Sequence, residues 1–408
     1  MTALTEVQKQ LIECLRAYIA NEEPKELITR EESFDEKQYG LFRLAYEQKL
    51  ISIVYASGYS RGENTEFSHK LKRSAMKGSL IQTLATLNFT ELYRRFNEEN
   101  VSPVVVKGIV ARSLYREESV RPSGDEDIYA ETEEKFLRCR EIMISEGGRA
   151  EDGGDEAAAV IAFFFPNGLH IELHRKLFDD TAFEKNNGCF AHAETQLLRL
   201  GGSGAEIEIR TFNHTDNLLY MLLHALKHFI SGGFGLRTAL DIALYAEKYF
   251  DSIDGKRLTE GLENNSAVDF TSAIFDICTG ELGTDKKIFA LIGGRHADGS
   301  EMLKDILAAG VYGTSEESRA HSANITRSAA NGEGRLSGII KSIFPPYSYM
   351  KKKYSYAEKA PLLLPVAWLH RGIQYLFGQK KGNTASDTLD LARKRAKLIE
   401  SYGIRLER

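Results

Sequence analysis

Two aspartates, Asp125 and Asp127, stand two positions apart near the end of the stretch VVVKGIVARSLYREESVRPSGDEDIYA (104–130), downstream of a Lys-Gly pair. In extended backbone, residues two apart project from the same face with Cα atoms about 6.5 Å apart, so their carboxylates emerge side by side. That spacing suits a divalent cation. A cation bridging two carboxylates and a triphosphate neutralises the charge that builds up in phosphoryl or nucleotidyl transfer. An Asp-x-Asp pair also decorates many solvated strands, so its flanks matter. Residues 104–106 form a short apolar run that reads as a strand, Gly108 permits a tight turn, and 109–116 reads as one short helix. This order of elements sets Lys107 and backbone N–H groups opposite the cation, where phosphates would sit.

A second segment adds to the first. Residues 158–166 (AAVIAFFFP) and 169–173 are apolar runs joined by Asn167-Gly168, a strong hairpin signal. In LHIELHRKL, Leu169, Ile171 and Leu173 face one way, while His170, Glu172 and His174 face the other. A carboxylate between two imidazoles is a poor choice for a core and an odd one for plain surface. It suits a third metal ligand, or a general base, beside Asp125 and Asp127.

On these residues the chain resembles the nucleotidyltransferases of the DNA polymerase β superfamily, and specifically their bacterial NTP_transf_5 branch. The residues that carry the resemblance are Lys107-Gly108, Leu114-Tyr115, Arg121, Gly124-Asp125-Glu126-Asp127 and Ile171-Glu172-Leu173-His174. It extends to His224, His228 and Asp241 in HALKHFISGGFGLRTALDIALY and faintly to Leu364-Pro365, so it spans much of the chain, with its specific motifs between 104 and 245. The resemblance implies an α+β fold, a mixed β-sheet core with helical N-terminal and C-terminal regions. It also implies that Asp125 and Asp127 hold magnesium or manganese, with Glu172 as third carboxylate. Lys107, Gly108, Arg121 and Gly124 would bind nucleotide, and His170, His174, His224, His228 and Asp241 would line the pocket. In the implied reaction an acceptor hydroxyl attacks the α-phosphate of a nucleoside triphosphate and pyrophosphate leaves.

Two positions depart from that pattern. Lys107-Gly108 stands where the superfamily has Gly-Ser or Gly-Gly, so phosphate contacts would come from the lysine and the backbone rather than from a hydroxyl. Glu126 stands between the aspartates, where an apolar residue is usual. Its side chain should point away from the cation. A buried carboxylate is costly without a partner, so either this edge is solvated or Arg112 or Arg121 reaches it. These departures keep open a second reading, a catalytically inactive relative that binds nucleotide or a partner protein through the same pocket. A third is a zinc hydrolase. His224 and His228 lie one turn apart on a helix that is apolar on nearly every side, and i, i+4 imidazoles can chelate zinc together with His170 and His174. The HExxH pattern is absent, because Ala225 follows His224. Otherwise these histidines serve as core groups bonded to Asp241 or a backbone carbonyl, or as a wall of the nucleotide or acceptor pocket.

The elements that must position these groups follow from pattern. The 408 residues, 42% hydrophobic and 27% charged, suffice for two or three subdomains with a real core and read as a soluble globular protein. The opening MTALTEVQKQLIECLRAYIA reads as an amphipathic helix rather than a targeting segment, so a cytoplasmic location is expected. Cys14, Cys139, Cys189 and Cys278 are too scattered for a disulfide framework or a zinc knuckle, and should be reduced. Residues 1–100 form a helical N-terminal region, in which LFRLAYEQKLISIVYA and LIQTLATLNFTELYRRF carry apolar residues at helical spacing. Residues 101–212 make the nucleotidyltransferase core, with a helix at 131–146 and a connecting loop in GGRAEDGGDEAA. Helices return over 213–335, starting at an Asn213 or Thr215 N-cap and interrupted by the Gly-capped SGGFG, with a Ser, Ala, Asn and Gly-rich connection or lid at 314–336.

The final part, 336–408, is a basic helical segment. From Lys341 onward 14 basic residues face five acidic ones, which invites an acidic partner, either nucleic acid or a membrane surface, at Lys351 to Lys353, Lys380, Lys381 and LARKRAKLIE. The run PLLLPVAWLHRGIQYLF is interrupted by proline, His370 and Arg371 and cannot span a bilayer. This run could lie on a bilayer, but a C-terminal helix docked on the body is the favoured arrangement for it.

Overall fold

Five short strands carry the motifs, and their order is the key to the molecule. They are β1 (Val104–Val105), β2 (Glu126–Tyr129), β3 (Arg149–Ala150), β4 (Val160–Phe164) and β5 (His170–His174), arranged β1-β2-β5-β4-β3. The sheet is mixed: β2 and β5 run parallel, while the other neighbours are antiparallel. The structure, a computed structural model, describes residues 3–28, 36–151, 158–179, 181–200, 207–309 and 385–405, together with Tyr347, Met350, Tyr356, residues 361–368 and His370. The connection expected at 314–336, Lys351 to Lys353, Lys380 and Lys381 lie outside the described residues.

The hairpin predicted from Asn167-Gly168 joins β4 to β5, with Gly168 at φ 84° and its N–H donating to Phe165 O at 3.0 Å. Alternation along β5 also holds. Ile171 and Leu173 are fully buried, whereas His170 and Glu172 on the other face are only partly covered. The stretch at 147–158, expected to be pure loop, contributes the edge strand β3, because Arg149 and Ala150 pair with Phe164 and Phe163.

Helices build the remainder. In α1 (Glu6–Ala20) a capping box between Thr5 and Gln8 sets the start. The run LFRLAYEQKLISIVYA is not one helix: Lys49 adopts φ 51°, a left-handed turn that divides α2 (Glu36–Glu47) from α3 (Ile51–Ala56). Next come the 33-residue α4 (Glu66–Glu98), the single-turn α5 (Ile109–Arg112) and α6 (Glu133–Ser145), whose N-cap is Thr132. The helix predicted over 109–116 stops at Arg112, since the chain beyond it is drawn into tertiary bonds, Tyr115 to Asp241 and Arg116 to Tyr18.

A second hairpin, β6 (Thr195–Leu200) with β7 (Ile207–Phe212), is tied to β1 by the Thr211 hydroxyl, which donates to Val105 O at 2.6 Å. Asn213 then caps α7 (His214–Ser231) by accepting from the Asp216 N–H, and Gly232 ends it. α8 (Leu236–Lys248), α9 (Gly255–Glu263), α10 (Val268–Gly280) and α11 (Ser300–Ala309) follow, and α12 (Ala385–Ser401) closes the described chain. One continuous hydrophobic cluster runs through these elements from Leu11 to Ile404.

The helix α12 is docked on the body. Buried Arg395 donates to Phe229 O and approaches Asp305 at 3.4 Å, while Ile399 and Tyr402 join the core. The basic character of LARKRAKLIE is thus partly spent inside the fold. All four cysteines are free thiols. Among the described residues no helix is long and apolar enough to cross a membrane.

Tyr93 of α4 holds the start of the sheet. Its buried hydroxyl donates to Pro103 O at 2.7 Å and accepts the Arg210 N–H at 2.9 Å, pinning the lead into β1 and the strand β7 to one helix. Tyr93→Phe leaves two backbone groups without this partner and is expected to lower unfolding stability by about 1–3 kcal/mol, read by urea denaturation. An unchanged midpoint would show that the hydroxyl holds neither element.

Candidate active site

The register of β2 against β5 brings the acidic motifs together. Asp127 lies directly beside Glu172, and Tyr129 beside His174, so Asp127, Glu172 and His174 share one sheet face. One oxygen or nitrogen from each of these three lies within 4.8 Å of the others. Asp125 precedes the first residue of β2 and is absent from that tightest group, although its charge interacts with Asp127, Glu172 and Lys107. The trio that the fold draws closest therefore has His174 where Asp125 was expected.

Glu126 faces the opposite way and explains the Lys-Gly turn. It is buried with Ile171 and Ile128, its Oε1 lies 2.5 Å from Arg112 Nη1, and its Oε2 accepts the Ile109 N–H at 2.8 Å. Of the two arginines weighed from the sequence, it is Arg112 that reaches it. Gly108 sits directly above at φ 62°, and a Cβ there would meet Glu126 Oε2 at 2.0 Å. Glycine is required twice over, for the backbone angle and for the carboxylate beneath it. The acid between the two aspartates is thus a strut under the turn that presents Lys107.

Electrostatics on the other face centre on Asp127. Burial opposes its ionisation, but the Lys107 ammonium and His174 override burial and hold its carboxyl far below the usual range. His174 Nε2 lies 3.2 Å from Asp127 Oδ1 and 3.6 Å from Glu172 Oε2. Burial alone would discharge this imidazole, yet the two carboxylates push its pKa up to about 9. Asp125 moves in the opposite direction from Asp127. Burial and the neighbouring Asp127 charge raise its pKa, as expected when carboxylates crowd one site.

Lys107 Nζ lies 3.7 Å from Asp127 Oδ2 and 3.3 Å from His224 Nε2, and its side chain keeps a quarter of its surface exposed. Burial disfavours its charge, but Asp127 and Asp125 more than compensate and raise its pKa. His228 Nε2 lies 2.8 Å from His224 Nε2. With the lysine donating to the His224 nitrogen, the proton of the histidine pair belongs on His228 Nε2. Both imidazoles are held neutral by burial and by the Lys107 charge, with His228 lowered to about 3.

The four histidines do not converge on one metal. His170 stacks on Phe164, His174 serves Asp127 and Glu172, and His224 with His228 faces Lys107. Nor does Asp241 bond His224 or His228. It receives a two-pronged contact from buried Arg121, Nε to Oδ1 at 3.1 Å and Nη2 to Oδ2 at 2.7 Å, and a 2.6 Å bond from the Tyr115 hydroxyl. Arg121 therefore ties the loop before β2 to α8. The same loop is held by Gln82, whose Oε1 accepts the Ser123 N–H beside exposed Gly124. Behind Lys107 a small cavity opens between α5, α7 and α8, lined by Val110, Arg121, Tyr220, His224, His228 and Arg237 among others.

The residues present fit a divalent cation. Asp127 Oδ2 is a buried carboxylate oxygen with no hydrogen-bond partner, and three carboxylates share the face on which it lies. Oxygen donors of this kind suit a hard ion such as magnesium or manganese. His174, bonded to Asp127 Oδ1, would fix the orientation of that ligand.

Sequence reasoning left Arg112 as one of two arginines that could reach Glu126, and it missed Tyr220, Arg237 and Phe164 entirely. Alternation along β4, which buries Ile161 and Phe163, carried a signal for Phe164. Tyr220 carried one too, lying one turn before His224 on α7.

A family model described as an uncharacterised nucleotidyltransferase matches residues 35–279. No curated protein and no solved structure matches the chain.

The strut beneath the turn makes a two-part prediction. Arg112→Met leaves the Glu126 carboxylate buried without its counter-charge and is expected to cost about 3–5 kcal/mol of stability. Arg112→Met combined with Glu126→Leu removes both charges and should cost clearly less than Arg112→Met alone. Denaturation of the two variants decides it, and additive losses would show that the ion pair is not what holds the turn.

Proposed function

The chain belongs to this nucleotidyltransferase family, and from that premise we propose that it is a metal-dependent enzyme moving a nucleoside monophosphate from an NTP to an acceptor hydroxyl. The observation that carries this reading is the side-by-side placement of Asp127 and Glu172 on adjacent parallel strands, with a buried Asp127 oxygen left without a hydrogen bond. Asp125, Asp127 and Glu172 would hold magnesium or manganese, which supplies charge neutralisation at the α-phosphate when bound.

The chain's own groups divide the remaining work. Lys107, fixed by the Gly108 turn and flanked by Asp127 and His224, faces the developing phosphate charge. Glu172 keeps about a third of its side chain exposed, so it is the carboxylate that an acceptor hydroxyl can reach and to which it can lose its proton. The acceptor oxygen then forms a bond to the α-phosphorus as the bond to the bridging oxygen breaks, and pyrophosphate carries away the electron pair. Rate comes from positioning and charge neutralisation, without a covalent enzyme intermediate.

Arg121 enters this scheme as a brace. Its guanidinium is committed to Asp241, so it anchors the loop that delivers Asp125. Glu126, the strongest argument for an inactive relative, points away from the carboxylates and is satisfied by Arg112 and the Ile109 N–H. That arrangement supports the catalytic reading over the binding-only one. The separation of the histidines into three settings likewise weighs against a zinc hydrolase.

Calorimetric titration with ATP, GTP, CTP and UTP, with and without magnesium, tests the assignment. At least one triphosphate is expected to bind only with the metal, and Asp127→Asn is expected to remove that binding and to slow turnover about a thousandfold or more once an acceptor is found. Binding that ignores both metal and mutation would overturn the proposal.

A further inference from the structure

We infer that Tyr220 is a phosphate-contacting residue, whose hydroxyl joins the Lys107 ammonium in holding a non-bridging oxygen of the triphosphate. The inference rests on the nucleotidyltransferase reading above and adds to that site a residue on α7.

Packing explains the ring of Tyr220 but not its hydroxyl. The side chain is fully buried one turn before His224, with ring centroids 5.9 Å from Phe178, 6.1 Å from Phe190 and 5.5 Å from His224. A phenylalanine would fill this place as well. The added oxygen has no protein group within hydrogen-bond reach, and burying such a group unpaired costs stability. Other buried tyrosines are satisfied: Tyr93 bonds Pro103 O, Tyr115 bonds Asp241 and Tyr245 bonds His214. An unpaired buried hydroxyl beside an acidic site calls for an explanation of another kind.

Its surroundings indicate what it is for. The charges of Asp127, Glu172 and Asp125 all act on this hydroxyl and, with burial, push its pKa well up, so it stays an O–H donor. Tyr220 lines the same cavity as Lys107, whose ammonium lies 3.7 Å from Asp127 Oδ2 and 3.3 Å from His224 Nε2. Arg121 and Arg237 line that cavity too, against a single acid, Asp241, so the space is positive. Neutral His224 and His228 add no charge to this balance.

Two unsatisfied groups of opposite character therefore meet at Lys107. Asp127 Oδ2 is a buried acceptor without a donor, and the Tyr220 hydroxyl is a buried donor without an acceptor, yet they do not bond each other. One ligand completes both if it pairs a cation with an anionic oxygen. A metal-held phosphate does so, with the cation on the carboxylate and an oxygen on the hydroxyl and the lysine.

Calorimetric titration of wild type and Tyr220→Phe with ATP and with inorganic tripolyphosphate, both with magnesium, tests the inference alongside thermal melting of the ligand-free proteins. Tyr220→Phe keeps the ring and loses only the hydroxyl. It is expected to bind both ligands about tenfold or more weakly, while its ligand-free melting temperature is no lower than that of wild type. That split separates a ligand contact from a structural one, because losing a hydroxyl that holds the fold lowers stability. Affinities within about twofold of wild type for both ligands overturn the inference, and so does a loss confined to ATP, which would place the hydroxyl at the nucleoside. A clear fall in the melting temperature of Tyr220→Phe overturns it as well, by revealing a structural partner. Should Asp127→Asn abolish binding that Tyr220→Phe spares, the role of Tyr220 fails alone. Absence of ATP binding to wild type sinks the nucleotidyltransferase reading with it.

Discussion

Parallel pairing of β2 with β5 is the constraint on which the rest of the structure depends. Because side chains alternate with a period of two, the pairing that sets Asp127 beside Glu172 also sends Glu126 to the opposite face, beside Ile171. A slip of β5 by one residue would turn Glu172 into the core and expose the core pair Ile171 and Leu173. The hydrophobic face therefore locks the polar one, and the site inherits its precision from the packing beneath it.

Two buried charge systems flank that pairing, and their acids differ in what they leave unsatisfied. Below the sheet, Glu126 is fully occupied by Arg112 and a backbone N–H, so it acts as part of the scaffold. Above it, Asp127 keeps one oxygen without a hydrogen bond, with Lys107 and His174 supplying positive charge close by. Satisfied groups hold shape, whereas an unsatisfied one in a cluster of like charges calls for a ligand cation. The contrast between neighbours in sequence is between an acid paired with an arginine and one that keeps an oxygen without a hydrogen bond.

The surroundings give the face a direction. Toward β1 it is closed by α7, where Tyr220, His224 and His228 gather around Lys107. Toward β4 it continues over Ala162 and Phe164 to Arg149 on the edge strand β3. Bracing from outside keeps the frame rigid, since Arg121 joins the motif loop to Asp241 on α8 and Tyr93 joins β7 to the lead into β1.

Much of this was legible in local pattern. Asn167-Gly168 specified the hairpin, strict alternation in LHIELHRKL specified which residues face the site, and Asn213 specified where α7 begins. The order of Lys107-Gly108, Asp125-Glu126-Asp127 and Glu172 was enough to name the acids, because strand geometry alone fixes the spacing of i and i+2. What pattern could not supply was partnership across the chain. That Glu126 belongs to Arg112, that Asp241 binds Arg121 rather than a histidine, and that His174 joins the carboxylates while His224 turns to Lys107 all depend on distances between residues remote in sequence. So does the alignment of Phe164 with the acidic row, which exists only once β4, β5 and β2 are in register. By itself the sequence determined which residues are polar on which face. Tertiary structure decided which of those buried polar groups neutralise one another and which remain for a ligand, because the cost of an unpaired charge is settled by what packs against it.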